Sequence, residues 1–252
     1  NNKKKEMERF QIEICANSAI SALRAQEGGA NRVELCAGIP EGGTTPSFGE
    51  ILMARKLLTT TKLHVIIRPR GGDFLYNETE IDIMLRDIEA SRKAGVDGIV
   101  IGCLTKHGDI DTKANRRLIK EADGLNITFH RAFDMCRNPK VALEEIIDMG
   151  CNRILTSGQK NNAYCGIEEI KELIECAQNR IIIMPGCGIN PNNIKEIAER
   201  TGAKEFHFSG RTTYDSKMLY RNPDVSMGGT VTIDEYKQAT TDPDIVKAAI
   251  KA

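Results

Sequence analysis

Gly29-Ala30-Asn31-Arg32-Val33, Gly95-Val96-Asp97-Gly98-Ile99, Gly150-Cys151-Asn152-Arg153-Ile154 and Gly202-Ala203-Lys204-Glu205-Phe206 are versions of one phrase, each set between a helix-like stretch and an apolar run. A glycine after a helix supplies the left-handed residue that stops it, and the polar residue that follows leads the chain into a strand. One such stop per quarter of the chain implies modules. Further apolar runs, beginning near Ile12, Leu63, Ile127 and Ile181, fall between these, so the pattern predicts eight strands alternating with eight helices. That is an α/β chain with the arithmetic of a single (β/α)8 TIM-type barrel.

Bulk properties set limits. The 252 residues suit one barrel domain, and a domain of this size buries about three quarters of its unfolded surface. Lysine plus arginine, 35 in all, balance 35 acidic residues, which removes any long-range pull toward nucleic acid or an anionic membrane. No apolar run is long enough to span a bilayer, and Asn1–Arg9 reads as a charged stub, disordered or vector-derived, without the apolar core of a signal peptide. The barrel domain, with its C-terminal tail and helices, is expected over residues 10–252 and in the cytoplasm. The 8 cysteines include no C-x-x-C pair, which argues against a secreted disulfide framework and a four-cysteine zinc site and predicts reduced thiols.

Strands are expected near Gln11–Cys15, Arg32–Cys36, Leu63–Arg68, Asp97–Ile101, Asn126–Arg131, Arg153–Ser157, Ile181–Pro185 and Glu205–Ser209. Asn17 or Ser18 suits the first helix cap, Pro139 the start of the fifth helix, and Asn190-Pro191 the start of the seventh. Leu52, Leu57 and Leu58, like Ile81, Leu85 and Ile88, have the spacing of a face packed on a sheet. The stretches Ala37–Gly49, Pro69–Asn77 and Gly210–Thr230 read as long loops. The first two follow strands, on the face where barrel enzymes keep their sites.

Side chains alternate along a strand, so parity assigns each residue a face. With Ile12, Ile14, Val33, Leu35, Val65, Ile67, Ile127, Phe129, Phe206 and Phe208 turned outward to the helices, the upper interior collects Glu13, Glu34, Arg68, His130 and His207, with Cys15, Cys36 and Ser209 beside them. Charges inside a barrel are costly unless paired, so these groups imply a mutually satisfied network. Either Arg68 neutralises the glutamates as a structural plug, or the cluster is a functional pocket. His130 suits general acid or base work, steered by Asp73 or Asp134 from the loops. His64 lies low in the barrel and His107 in a polar loop, so neither is a catalytic candidate.

Cys15 and Cys36 end neighbouring strands in matching positions, and adjacent parallel strands lie about 4.8 Å apart. Two inward thiols at equal height have the softness that favours Cu(I), with a histidine or Met184 as a third donor, while the bland alternative is two small apolar side chains. A second signal is Pro185-Gly186-Cys187-Gly188-Ile189-Asn190, followed after the last strand by Ser209-Gly210-Arg211. Barrels that bind phosphorylated ligands use these loops, so Gly186, Gly188, Ser209, Gly210 and Arg211, with Arg70 from the third loop, form a candidate anion site. The alternative is that the glycines serve only a tight turn.

Longer blocks are recognisable: Val33-Glu34-Leu35-Cys36 with Glu41-Gly42-Gly43-Thr44-Thr45-Pro46-Ser47, Ile67-Arg68-Pro69-Arg70-Gly71-Gly72-Asp73-Phe74-Leu75-Tyr76, Thr128-Phe129-His130-Arg131-Ala132-Phe133-Asp134, Leu155-Thr156-Ser157-Gly158 and Met184-Pro185-Gly186. Together they resemble the copper homeostasis protein CutC family, from about Phe10 to at least Met227. The resemblance implies a TIM-type barrel, cytosolic and commonly a homodimer, linked to copper tolerance or trafficking. It also implies Cu(I) on Cys15 and Cys36, which match the family's proposed copper thiols. Cys103, Cys136 and Cys151 fall outside the family pattern, and Cys187 stands where glycine is often found.

These readings lead to different classes of protein. A copper-binding homeostasis protein would use the barrel as a scaffold for Cys15 and Cys36. An enzyme acting on a small anionic metabolite would use Arg68, Arg70 and Arg211 for charge and His130 or Glu13 for proton transfer. In a dimerisation scaffold, the tail Thr212–Ala252 would pack on a partner through Met218, Leu219, Val225 and Met227.

Overall fold

Strand parity and helix punctuation together account for the layers of the molecule, described here for residues 10–252 in a computed structural model. Eight strands, β1 (Gln11–Ala16), β2 (Arg32–Leu35), β3 (Lys62–Ile66), β4 (Gly98–Ile101), β5 (Asn126–Phe129), β6 (Arg153–Thr156), β7 (Ile182–Pro185) and β8 (Glu205–Phe208), lie in the order β7-β6-β5-β4-β3-β2-β1-β8. All neighbours pair in parallel, and a single bridge between Gly186 and His207 closes the ring. The stub assigned to Asn1–Arg9 lies outside the described residues.

Helices α1 (Ala19–Glu27), α2 (Phe48–Leu57), α3 (Glu78–Lys93), α4 (Thr112–Ala122), α5 (Pro139–Asp148), α6 (Ile167–Ala177) and α7 (Ile194–Thr201) alternate with the strands, and α8 (Pro243–Lys251) completes the set. Ser18 caps α1 by accepting from the Ser21 N–H, Asn77 and Glu80 form a reciprocal capping box on α3, and Pro139 opens α5 behind the Asn138 cap. The seventh helix starts later than Asn190-Pro191 suggests. Those residues form a separate turn in which the Asn193 and Ile194 amides donate to the Asn190 carbonyl, so α7 begins at Ile194.

The outward strand residues, among them Ile12, Ile14, Val33, Leu35, Phe129 and Phe206, are fully buried against the helices and form the main core. The helix spacings hold for Leu58, Ile81 and Ile88. Leu52 does not face the sheet, because Ile51 and Ala54 take the buried stripe of α2 and leave it exposed.

The lower interior is charged. The Arg32 guanidinium donates to Glu13 and, at 2.7 Å, to Glu205, which also accepts from Arg153 at 3.1 Å; Arg153 donates further to Asn126 and Thr128. His64 is buried in the same half, close to Gly98. A methyl group on Gly98 would sit 2.5 Å from His64 Nε2, so glycine is required where the ring crosses β4.

The tail is more ordered than the loop expected over Gly210–Thr230. Strand β9 (Arg211–Asp215) pairs antiparallel with β10 (Lys237–Thr241), and this hairpin packs on the start of α1, where Asn17 Nδ2 donates to the Ala239 carbonyl at 3.2 Å.

Candidate functional site

A cavity of about 520 Å³ opens at the C-terminal ends of the strands. Its floor and walls include Cys15, Glu34, Cys36, Arg68, His130, His207 and Ser209, contributed by β1, β2, β3, β5 and β8 or by the residues directly after them. Glu13 is not among the lining residues and meets the lining at His207, whose Nδ1 is 2.7 Å from the Glu13 carboxylate.

The thiols meet by a route other than equal height. Cys15 is registered opposite Glu34, placing Cys36 beyond it along β2, yet the two Sγ atoms stand 3.5 Å apart. Glu34 joins them: its carboxyl oxygen lies 3.6 Å from Cys36 Sγ, and the ligand atoms of Cys15, Glu34 and Cys36 all fall within 4.8 Å of one another. Met184 is not part of this group. Its sulfur faces down and accepts from the Arg32 guanidinium at 3.4 Å.

His207 organises the charges. Its Nδ1 is 2.7 Å from Glu13 and its Nε2 is 3.5 Å from Glu34. Burial opposes a charge on this ring, but Cys15, Glu13 and Glu34 together raise its titration well above the ordinary histidine value. Glu13 moves the other way: Arg32 and His207 outweigh its burial and hold it well below the usual carboxylate range. Cys15, accepting from the Cys36 thiol and facing His207, is lowered well below an ordinary thiol, whereas Cys36, donating to Cys15 and buried, is raised. Burial, with the charges of Cys15 and Glu13, pushes Glu34 up to about 8 against the pull of His207. The cluster thus favours negative charge on Cys15 and positive charge on His207, and disfavours charge on Cys36 and Glu34.

Arg68 does not neutralise the glutamates. Arg32 pairs with Glu13 from below and His207 faces Glu34, while Arg68 donates to the backbone carbonyls of Glu41, Gly43 and Gly72, each at 2.8 Å. His130 is no general base at neutral pH. The Ala132 N–H donates to its Nδ1 at 3.1 Å, and burial with the Arg68 charge pushes its titration down to about 3. A neutral ring that accepts at Nδ1 carries its proton on Nε2, so His130 presents a donor.

Asp134 is saturated. It accepts from Arg131, from the Ser157 hydroxyl and amide, and from the Gln159 amide, pinning the rim, and makes no hydrogen bond to the His130 ring it was expected to steer. Asp73 is exposed and pairs with Arg70.

The proposed anion loops come apart. Gly188 and Ser209 line the cavity. Arg70 points away, tied to Glu80 at 2.5 Å and Asp73 at 3.1 Å. Gly186 is a packing residue pressed on Leu155, Gly210 turns the chain against Val246 of α8, and Arg211 is exposed on β9. The amides before α7 are taken: Asn190 donates to the Asn193 side chain and Asn192 to the Asn190 side chain, both at 2.9 Å. The turn before α7 thus uses its own amides, while Asn193 at the helix start makes no side-chain cap.

Arg32, Arg153 and Glu205 escaped the sequence reading although they obey the same alternation as Glu34, Leu155 and His207. Phe74 was also missed. It reaches in from the third loop, with no periodicity to announce it, and its ring covers Arg68 and His130.

These features define a TIM-type barrel with a ligand-sized site at the C-terminal mouth, built on a buried thiol pair. A family model described as the CutC family matches residues 10–212. A family protein CutC of Bacteroides thetaiotaomicron is 58% identical over 246 residues, spanning 98% of this chain and 99% of that protein. The copper homeostasis protein cutC homolog of Homo sapiens is 47% identical over 233 residues, spanning 92% and 85%. A CutC crystal structure from Streptococcus agalactiae superposes with a TM-score of 0.77 at 37% identity, covering 79% of this chain and 98% of that one. The chain belongs to the CutC family.

Proposed function

We propose that this protein binds Cu(I) as cargo on Cys15 and Cys36 and serves copper homeostasis. The observation that carries the reading is the pair of sulfurs 3.5 Å apart on the cavity floor, with His207 beside Cys15 to favour its thiolate form. Two sulfur donors select a soft monovalent ion over the hard cations that prefer oxygen, and Cu(I) accepts so low a coordination number. Glu34 is the remaining oxygen in reach, and its neutral carboxyl group leaves the sulfurs as the principal donors. His207 then has a definite role: its positive charge favours the thiolate form of Cys15, the form that binds a soft ion.

The names of the human and bacterial relatives point the same way. Unpaired thiols at all eight cysteines suit a reducing cytoplasm, and no helix among the described residues is long and apolar enough to cross a membrane. Self-association as a homodimer is supported by exposed Met218, Leu219 and Met227 in the arm between β9 and β10. The deciding measurement is a Cu(I) titration against a chromogenic chelator under anaerobic conditions. The wild type should take up about one ion per chain, and the Cys15→Ser, Cys36→Ser double variant should lose that uptake. Unchanged uptake in a folded double variant overturns the assignment.

A further inference from the structure

Arg68 is set apart from the other arginines of the barrel interior. Arg32 and Arg153 each meet a carboxylate, whereas the Arg68 guanidinium, on a residue only 5% exposed, is held by three carbonyl oxygens and has no carboxylate in ion-pair range among the described residues. Carbonyl dipoles orient a guanidinium without compensating its charge. They also leave Nε without a hydrogen bond, and the Tyr76 hydroxyl that lies near the guanidinium is likewise buried without one. Buried charges and buried donors both carry a free-energy cost that native proteins avoid except where something else supplies the acceptor.

A further orphan lies close by. His130, 4% exposed, has its Nδ1 filled by the Ala132 amide, and its Nε2 has no hydrogen-bond partner. Gly102 fixes the ring from behind, since a methyl group there would lie 2.6 Å from Cε1 and Nδ1. Both residues line the cavity that holds the thiols. Both also lie against Phe74, whose ring centroid is 5.0 Å from Arg68 Cζ and 5.1 Å from the His130 ring centroid.

We propose that Arg68 and His130 form a subsite for the oxyanion of a small ligand, a carboxylate or phosphate group that accepts from the two unpartnered N–H groups and supplies the countercharge Arg68 lacks. Phe74 shields both donors, and its ring turns aside as the ligand enters. The pair binds charge and moves no proton. This subsite is distinct from the copper reading, for it shares the cavity with Cys15 and Cys36 but none of their donors.

The test follows the His130 ring nitrogens by NMR in ¹⁵N-labelled protein titrated with sodium phosphate and, separately, with sodium acetate, using sodium chloride to hold ionic strength. A saturable shift of His130 with phosphate or acetate is expected, and the anion that saturates identifies the headgroup. Binding, read also from the Phe74–Asn77 amides, should weaken tenfold or more in Arg68→Gln and in His130→Phe, the loss that a charge-assisted hydrogen bond implies. The Cys15→Ser, Cys36→Ser variant should bind the anion as the wild type does, even if the copper assignment fails. The proposal is overturned by no saturable shift in the wild type, by shifts confined to exposed basic residues, which mark an adventitious ion only, or by loss of binding in the cysteine variant. Because Arg68 also ties two loops and Arg68→Gln can unfold, the wild-type titration and His130→Phe decide the matter alone.

Discussion

Replacing His130 with phenylalanine should flatten part of the acid dependence of stability. The folded ring is neutral, with its titration pushed down to about 3, first by burial and then by the Arg68 charge, while in the unfolded chain it titrates at the ordinary value of 6.5. A base with a depressed native pKa leaves the unfolded state binding more protons, so its contribution is present above pH 6.5 and is lost as pH falls toward the native value. Two pH units below the unfolded value, at about pH 4.5, the loss is about 2.7 kcal/mol, taking ~1.36 kcal/mol per unit. That is a large share of a typical domain's ~5–15 kcal/mol. His64, also pushed down to about 3 by burial, adds a parallel loss, and Glu34, raised to about 8, works oppositely because its penalty grows with pH between its ordinary value and 8. Both effects are common to wild type and variant and cancel in the comparison. The variant also loses the acceptor for the Ala132 amide, which lowers stability by a similar amount at every pH. Urea unfolding followed by circular dichroism, repeated from about pH 8 to pH 4.5, should show the wild type losing about 2.7 kcal/mol more than His130→Phe over that span. Parallel pH profiles for the two proteins would refute the neutral, buried assignment of the ring.

Two further substitutions probe the site. His207→Asn keeps a hydrogen bond to Glu13 but removes the imidazolium, so the Cys15 thiolate should form about 1–3 pH units higher; the pH-rate profile of iodoacetamide alkylation at Cys15, located by mass spectrometry, measures this, and superimposable profiles would show that Cys36 alone sustains the thiolate. Gly186→Ala forces a methyl group against Leu155 Cδ1 and near His207 Cβ, which should destabilise the fold by about 1–3 kcal/mol. An unaltered urea midpoint would mean that the β7–β8 seam yields more easily than its packing suggests.

The fold was legible because glycine stops and apolar parity are local signals, and a closed parallel sheet leaves little freedom in how they are combined. Parity also brought Glu13, Glu34, Arg68, His130 and His207 to one end of the barrel. What it could not convey was partnership. Arg32 and Arg68 both point inward, yet the first neutralises Glu13 while the second is held by loop carbonyls, a difference set by the path of residues 41–43 and 72 rather than by strand periodicity. The local conformation of the strand-seven loop was hidden for a similar reason: Asn190 and Asn193 fold onto their own backbone and occupy amides of the turn before α7. Phe74 lies in a loop, where neither parity nor helical spacing speaks.

The charged floor and the thiol pair act as one system. From the lower barrel upward run Arg153, Glu205, Arg32, Glu13, His207 and Cys15, each cation in contact with an acid and the last acid a thiol. An apolar floor of equal volume would cost less to bury, but it would leave Glu13 without Arg32, and a less acidic Glu13 would hold His207 less firmly as a cation. The thiolate would then be lost to a neutral thiol, the poorer metal ligand. The buried salt bridges are thus best understood through the protonation state they impose on Cys15 about two layers above them. Arg68 lies outside this chain of pairs, with no carboxylate among the described residues in ion-pair range, which is why the proposed anion is placed there.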